Sequence, residues 1–248
     1  MPIDQTQVRL VISVNGRPVR IETHVPGQPA RLDELLPALR AMDDRLIEAA
    51  VADAEAEGER VSCAKGCSAC CRAQPVPVTP PEAFALARLV DALPEPRRAA
   101  VRGAFAVGVR RLREAGLYDT YMRRDAELTR DEAKAVARRY MAMALTCPFL
   151  LDDACGIYAE RPFVCRQYLV TSPPQLCSAP LDNPVKPVGM PATFATAMLR
   201  TGEALSGHAQ YTVPLALALD YAQANRAELE RTYAPKAAFE QVVRAAVK

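Results

Sequence analysis

The stretch Cys63-Ala64-Lys65-Gly66-Cys67-Ser68-Ala69-Cys70-Cys71 places four thiols in nine residues. The other four cysteines, Cys147, Cys155, Cys165 and Cys177, all lie in one later segment, so the full set of eight falls into two islands. A chain of 248 residues, half of them hydrophobic, builds its core without cross-links, so the cysteines need a reason other than stapling a small fold. The expectation is that the islands meet in space and bind metal.

Thiolate is the preferred ligand of zinc, copper(I) and iron–sulfur clusters. Three residues separate Cys63 from Cys67 and two separate Cys67 from Cys70, which lets one loop supply several ligands. Gly66 allows the tight bend between them. Cys70 and Cys71 are adjacent, and in extended backbone they would face opposite ways, toward different metals or opposite sides of a cluster. Eight thiols make two four-cysteine sites, one cluster plus a second metal, or one site with spare thiols, and spacing leaves these open. His24 and His208 are the only histidines and lie outside both islands, so the expected first shell is all sulfur. Lys65, Arg72, Arg161 and Arg166 flank the cysteines and are candidates to offset the thiolate charge.

The second island, Cys147-Pro-Phe-Leu-Leu followed by Cys155-Gly-Ile-Tyr-Ala-Glu-Arg-Pro-Phe-Val-Cys165-Arg-Gln-Tyr168, resembles the YkgJ-type cysteine-cluster family, the CxxCxxCC zinc- or iron-chelating proteins. The first island is similar too, with one extra residue between Cys63 and Cys67. The resemblance spans Cys63 to Cys177 and implies chelation of zinc or iron, mononuclear or as an iron–sulfur cluster, by Cys63, Cys67, Cys70, Cys71, Cys147, Cys155, Cys165 and Cys177. A similar cluster occurs in flagellin lysine N-methylase. The alternatives are therefore a redox or methyl-transfer enzyme, with Tyr158 and Tyr168 near the substrate, or a metal-shaped interaction module.

Around the islands the periodicity reads as a mainly α, α+β protein with an N-terminal hairpin and irregular cysteine-rich loops. Val8 to Val14 and Val19 to Val25 alternate about Asn15-Gly16, a strong hairpin signal. Leu35, Leu39, Met42, Leu46 and Ala50 form a helical stripe within about 32–57, closed by Gly58. Capping boxes at Thr79/Glu82 and Thr129/Glu132 open helices to about Leu93 and Leu145, and a third helix runs from about Arg97 to Ala115 between them. Residues 146–191 read as irregular. Helices follow at about 191–205, 214–233 and 235–247. The expected division is 1–58 for hairpin and helix, 59–190 for the cysteine-cluster domain and 191–248 for a helical segment packed on it.

The net charge of +2 gives no bulk electrostatic case for nucleic acid, and Arg110-Arg111, Arg123-Arg124 and Arg138-Arg139 read as solvated helix faces. The sequence shows neither an export signal nor a membrane-length apolar run, so a cytoplasmic protein with reduced thiols is expected rather than one with four disulfides.

Overall fold

The computed structural model describes residues 4–14, 17–122 and 128–247; the Asn15-Gly16 turn and the Arg123-Arg124 pair lie outside them. Strands β1 (Gln5–Val14) and β2 (Arg17–Pro26) pair antiparallel, with Leu10 opposite Ile21. Val8, Ile12, Ile21 and Val25 are buried on one face, as the alternation requires. A 3-10 turn at Leu32–Leu35 leads into α1 (Leu36–Ala56). Every residue of the expected stripe from Leu35 to Ala50 is buried. Pro37 sits in the first turn, where its missing N–H leaves no hydrogen bond unmade.

After the first island come β3 (Pro77–Val78), α2 (Pro80–Ala92) and α3 (Arg97–Glu114). A five-residue helix, α4 (Tyr118–Met122), follows, and then α5 (Arg130–Ala142). Among the described residues, the segment between the islands thus holds four helices rather than three. One short turn of helix has no readable period, and it forms because Leu117 is drawn fully into the core just past the left-handed Gly116. Helix α5 stops before Leu145 because Ala144 takes a positive φ of 46°.

The second island is not wholly irregular. Strands β4 (Leu150–Leu151) and β5 (Ala154–Cys155) form a hairpin, and α6 (Phe163–Gln167) carries Cys165. Asp152 and Asp153, with φ of 46° and 58°, make the two-residue turn between the strands. Helix α7 (Phe194–Ser206) ends at Gly207, whose φ of 80° places it at a left-handed cap. The expected helix over 214–233 is replaced by β6 (Val213–Pro214), a 3-10 turn, α8 (Ala218–Ala224) and α9 (Arg226–Leu229). Its start is drawn extended because β6 pairs with β3 and the Leu215 amide donates to the Val76 carbonyl at 2.8 Å. Asn225 then leaves helical geometry at φ −114° and ψ 19°. Helix α10 (Pro235–Ala246) follows. No described helix is long and apolar enough to cross a membrane.

Three apolar clusters hold these elements. The first joins the buried hairpin face, α1, α7 and α10, with Phe163 stacked on Phe194 at 5.4 Å between ring centroids. The second joins α2, α3 and α8 with Phe149 and Ile157 of the second island. The third gathers Leu112, Leu117, Tyr140 and Leu217. Residues from all three segments of the chain therefore share cores.

One fully buried carboxylate connects the first two clusters. Glu82 Oε2 accepts from the Thr79 amide at 2.9 Å and the Thr79 hydroxyl at 2.8 Å, closing the expected capping box. Its Oε1 accepts from the Phe163 amide at 2.7 Å and so caps α6 as well. Burial pushes the Glu82 carboxyl upward, and the three donors oppose that shift. Glu82→Ala is expected to cost about 3 kcal/mol in chemical denaturation, because it orphans buried donors at two helix starts. Glu82→Gln should cost nearly as much, since its NH2 must face a Thr79 or Phe163 N–H.

Candidate metal centre

The first island is a loop of small residues bent at Gly66, whose φ is 91°, and then tightened into a 3-10 turn at Cys70–Arg72. That turn corrects the expectation for Cys70 and Cys71. In 3-10 geometry adjacent side chains are about 120° apart rather than opposed, and Cys71 is the largest cause of the upward shift of the Cys70 thiol. They therefore serve one side of the loop.

Hydrogen bonds tie this loop to the second island along its length. The Ser62 amide donates to the Val170 carbonyl at 2.9 Å, and its hydroxyl to the Ser172 carbonyl at 2.6 Å. The Cys147 amide donates to the Cys71 carbonyl at 2.7 Å, joining the islands cysteine to cysteine. Gln74 Nε2 donates to the Cys177 carbonyl at 2.7 Å. On the exposed side, Ser68 donates to Asp153 Oδ1 at 2.9 Å and Arg72 pairs with the same oxygen. The left-handed turn at Asp152–Asp153 is what presents that carboxylate. None of these partners announces itself in sequence, because serine, glutamine and a backbone carbonyl carry no spacing signal.

These ties bring the cysteines within electrostatic reach of one another. Cys70 is central: a thiolate there would oppose one at Cys63, Cys147, Cys165 or Cys177. Cys155 acts on Cys147 and Cys165, and Cys67 on Cys63 and Cys177. All eight are free thiols; Cys177 is buried and the other seven are partly buried. Burial lifts Cys147 to about 12 and Cys165 well above the ordinary thiol value. The Cys71 side chain, and then burial, raise Cys70. Burial thus favours the protonated form at Cys63, Cys147, Cys165 and Cys177, and a bound cation would oppose it.

The flanking cations meet several partners. Arg161 favours the Cys63 thiolate, while its guanidinium lies 3.7 Å from the centroid of the exposed Tyr158 ring. Arg72 is engaged by Asp153. Arg166 is buried, pairs with Asp44 and donates to the Arg161 and Ala159 carbonyls. Lys65 is exposed. Arg72 and Arg166 act as clamps more than as counter-charges. Tyr168 hydrogen-bonds Cys177, which pulls that thiol down against its burial.

Neither histidine joins the thiols through any described contact. His24 is exposed on β2. His208 contacts Ser206 Oγ through Nδ1 at 3.2 Å and Glu228 through Nε2 at 3.1 Å. Among the described residues, no three Cys, His, Asp or Glu side chains stand arranged as a metal site. Holding a metal therefore requires the thiols to turn from these rotamers. The Cys70–Cys71 contact and the Tyr168–Cys177 hydrogen bond are what such a turn would break.

Helix α6 is fixed from α1 by Arg166 to Asp44 and by Gln167 Nε2 to Asp43 Oδ1 at 2.7 Å. Asp43 is fully buried, its Oδ2 has no hydrogen-bond partner, and burial raises its carboxyl to about 7. A carboxyl raised in the folded state adds stability at acid pH that is lost as pH climbs from its unfolded value toward 7. Asp43→Asn should therefore stabilise the protein by about 2 kcal/mol at pH 8 and leave it nearly unchanged at pH 4. Thermal melts across that range measure the difference.

No protein-family profile, curated protein or solved structure matches this chain.

Proposed function

We propose that this protein chelates zinc or iron, the latter as single ions or an iron–sulfur cluster, through its two cysteine islands, as the resemblance to YkgJ-type proteins implies. The observation that supports the reading is the tying of the loop that carries the first four free thiols to the segment that carries the other four, at Ser62, Ser68, Cys71, Arg72 and Gln74. The donor set fits a soft or borderline cation, since every candidate ligand is sulfur. Cys63, Cys67, Cys70 and Cys71 would bind from one side, and Cys147, Cys155, Cys165 and Cys177 from the other. A bound metal would supply the positive charge that turns these raised thiols into thiolates. Arg161 favours the thiolate at Cys63, and Tyr168 orients the sulfur of Cys177. A reducing compartment such as the cytoplasm, where thiols stay free to bind metal, is part of this proposal.

Protein isolated anaerobically should carry zinc or iron at one or more equivalents by elemental analysis. Visible absorption with labile sulfide would assign an iron–sulfur cluster, and colourless protein with zinc would assign a chelated ion. Chelation should lower the melting temperature, because metal binding and folding are coupled. Cys70→Ser should lose most of the metal while Ser178→Ala keeps it. Metal-free protein after anaerobic isolation and reconstitution, with melting unchanged by chelator, would defeat the proposal.

A further inference from the structure

Away from the thiols, a cavity of about 340 Å³ opens between α1, α2 and the turn at Tyr158–Glu160. Leu36, Leu86 and Leu89 line its apolar part, and Arg40, Arg88, Asp33 and Glu160 bring charge to it. Arg88 is paired with Asp33 at 3.3 Å. Arg40 Nε is buried with no hydrogen-bond partner, and the guanidinium makes no ion pair among the described residues.

The surrounding carboxylates explain why. Asp44, one turn along α1, is held by Arg166, and Asp43 by Gln167. Both oxygens of Glu82 are occupied by Thr79 and the Phe163 amide. Asp33 is shared by Arg31 and Arg88. Glu160 is exposed, lies on the cavity wall and is not within ion-pair distance of Arg40. Arg40 is partly buried, with its Nε shut from water; desolvation weakens its hold on its proton, and Glu82, Glu160 and Asp44 offset this only through space. The planar guanidinium fork matches a carboxylate.

We propose that this cavity binds a small organic monocarboxylate, with its carboxylate on Arg40 and its apolar body against Leu36, Leu86 and Leu89. The volume lies at the lower end of the range for small-ligand pockets, which suits a body the size of a phenyl or branched alkyl group. Glu160 and Asp33 on the walls favour a single negative charge over a phosphate dianion.

Titration calorimetry of the full chain with phenylacetate, phenyl phosphate and inorganic phosphate tests this. Phenylacetate is expected to bind saturably, one per chain, and more tightly than either phosphate. Arg40→Met should weaken phenylacetate at least about tenfold, the loss expected of a charge-assisted hydrogen bond. Without ligand, Arg40→Met should melt no lower than the parent, because it removes a partly buried guanidinium whose Nε has no partner; that melt also shows the variant is folded. Arg40→Lys should recover only part of the binding, since it keeps the charge and loses the fork. No saturable binding of phenylacetate, equal binding by Arg40→Met, or tighter binding of phenyl phosphate would overturn the proposal. So would equal destabilisation by Arg40→Met and Glu160→Gln, which would show Arg40 already paired in solution.

Discussion

The arrangement of the molecule depends on one buried carboxyl group, Glu82. A carboxylate has only acceptor capacity, and here both oxygens meet donors that would otherwise be orphaned at helix starts. Helix α2 begins a few residues after the first island, and α6 carries Cys165 of the second. By serving both starts, one side chain fixes the separation of the islands before any thiol is considered. The stacking of Phe163 on Phe194 then fastens that junction to the core shared by the hairpin, α1, α7 and α10.

Around this junction the charged side chains are largely used for position. Asp44 with Arg166, Asp43 with Gln167, and Asp153 with Arg72 each hold one segment against another. Little positive charge is left to stabilise thiolates, and Arg161 beside Cys63 is the exception that is resolved. The result is a set of thiols of which Cys63, Cys147, Cys165 and Cys177 are pushed by burial toward their neutral form.

Local features were legible in the sequence. The stripe on α1, the alternation of β1 and β2, and both capping boxes depend on residues a few positions apart, and all appear as read. What escaped depends on distant partners. Glu82 reads as a capping residue, and nothing nearby reveals that its second oxygen reaches Phe163. The segment over 214–233 has helical composition, yet pairing of β6 with β3 forces its start extended. The Asp152–Asp153 turn lacks the glycine that usually signals a tight hairpin. For the candidate site, the cysteines were visible, and the two segments that carry them adjoin at Cys71 and Cys147, though no three described side chains stand arranged as a metal site. The 3-10 turn at Cys70–Arg72 was not visible, because the fold rather than the local residues sets that backbone.

The first core has a consequence for how the chain is made. The apolar face of the hairpin is completed by α10, near the other end of the sequence, and the first island is completed only when Cys177 has been synthesised. At about 5–20 residues per second, four thiols wait roughly 5–20 seconds for their partners. During that interval they are open to oxidants and to stray metal, and the hairpin face stands uncovered. Newly made chains are therefore the most vulnerable form of this protein, and the reducing capacity of the compartment matters most before the last helix has docked.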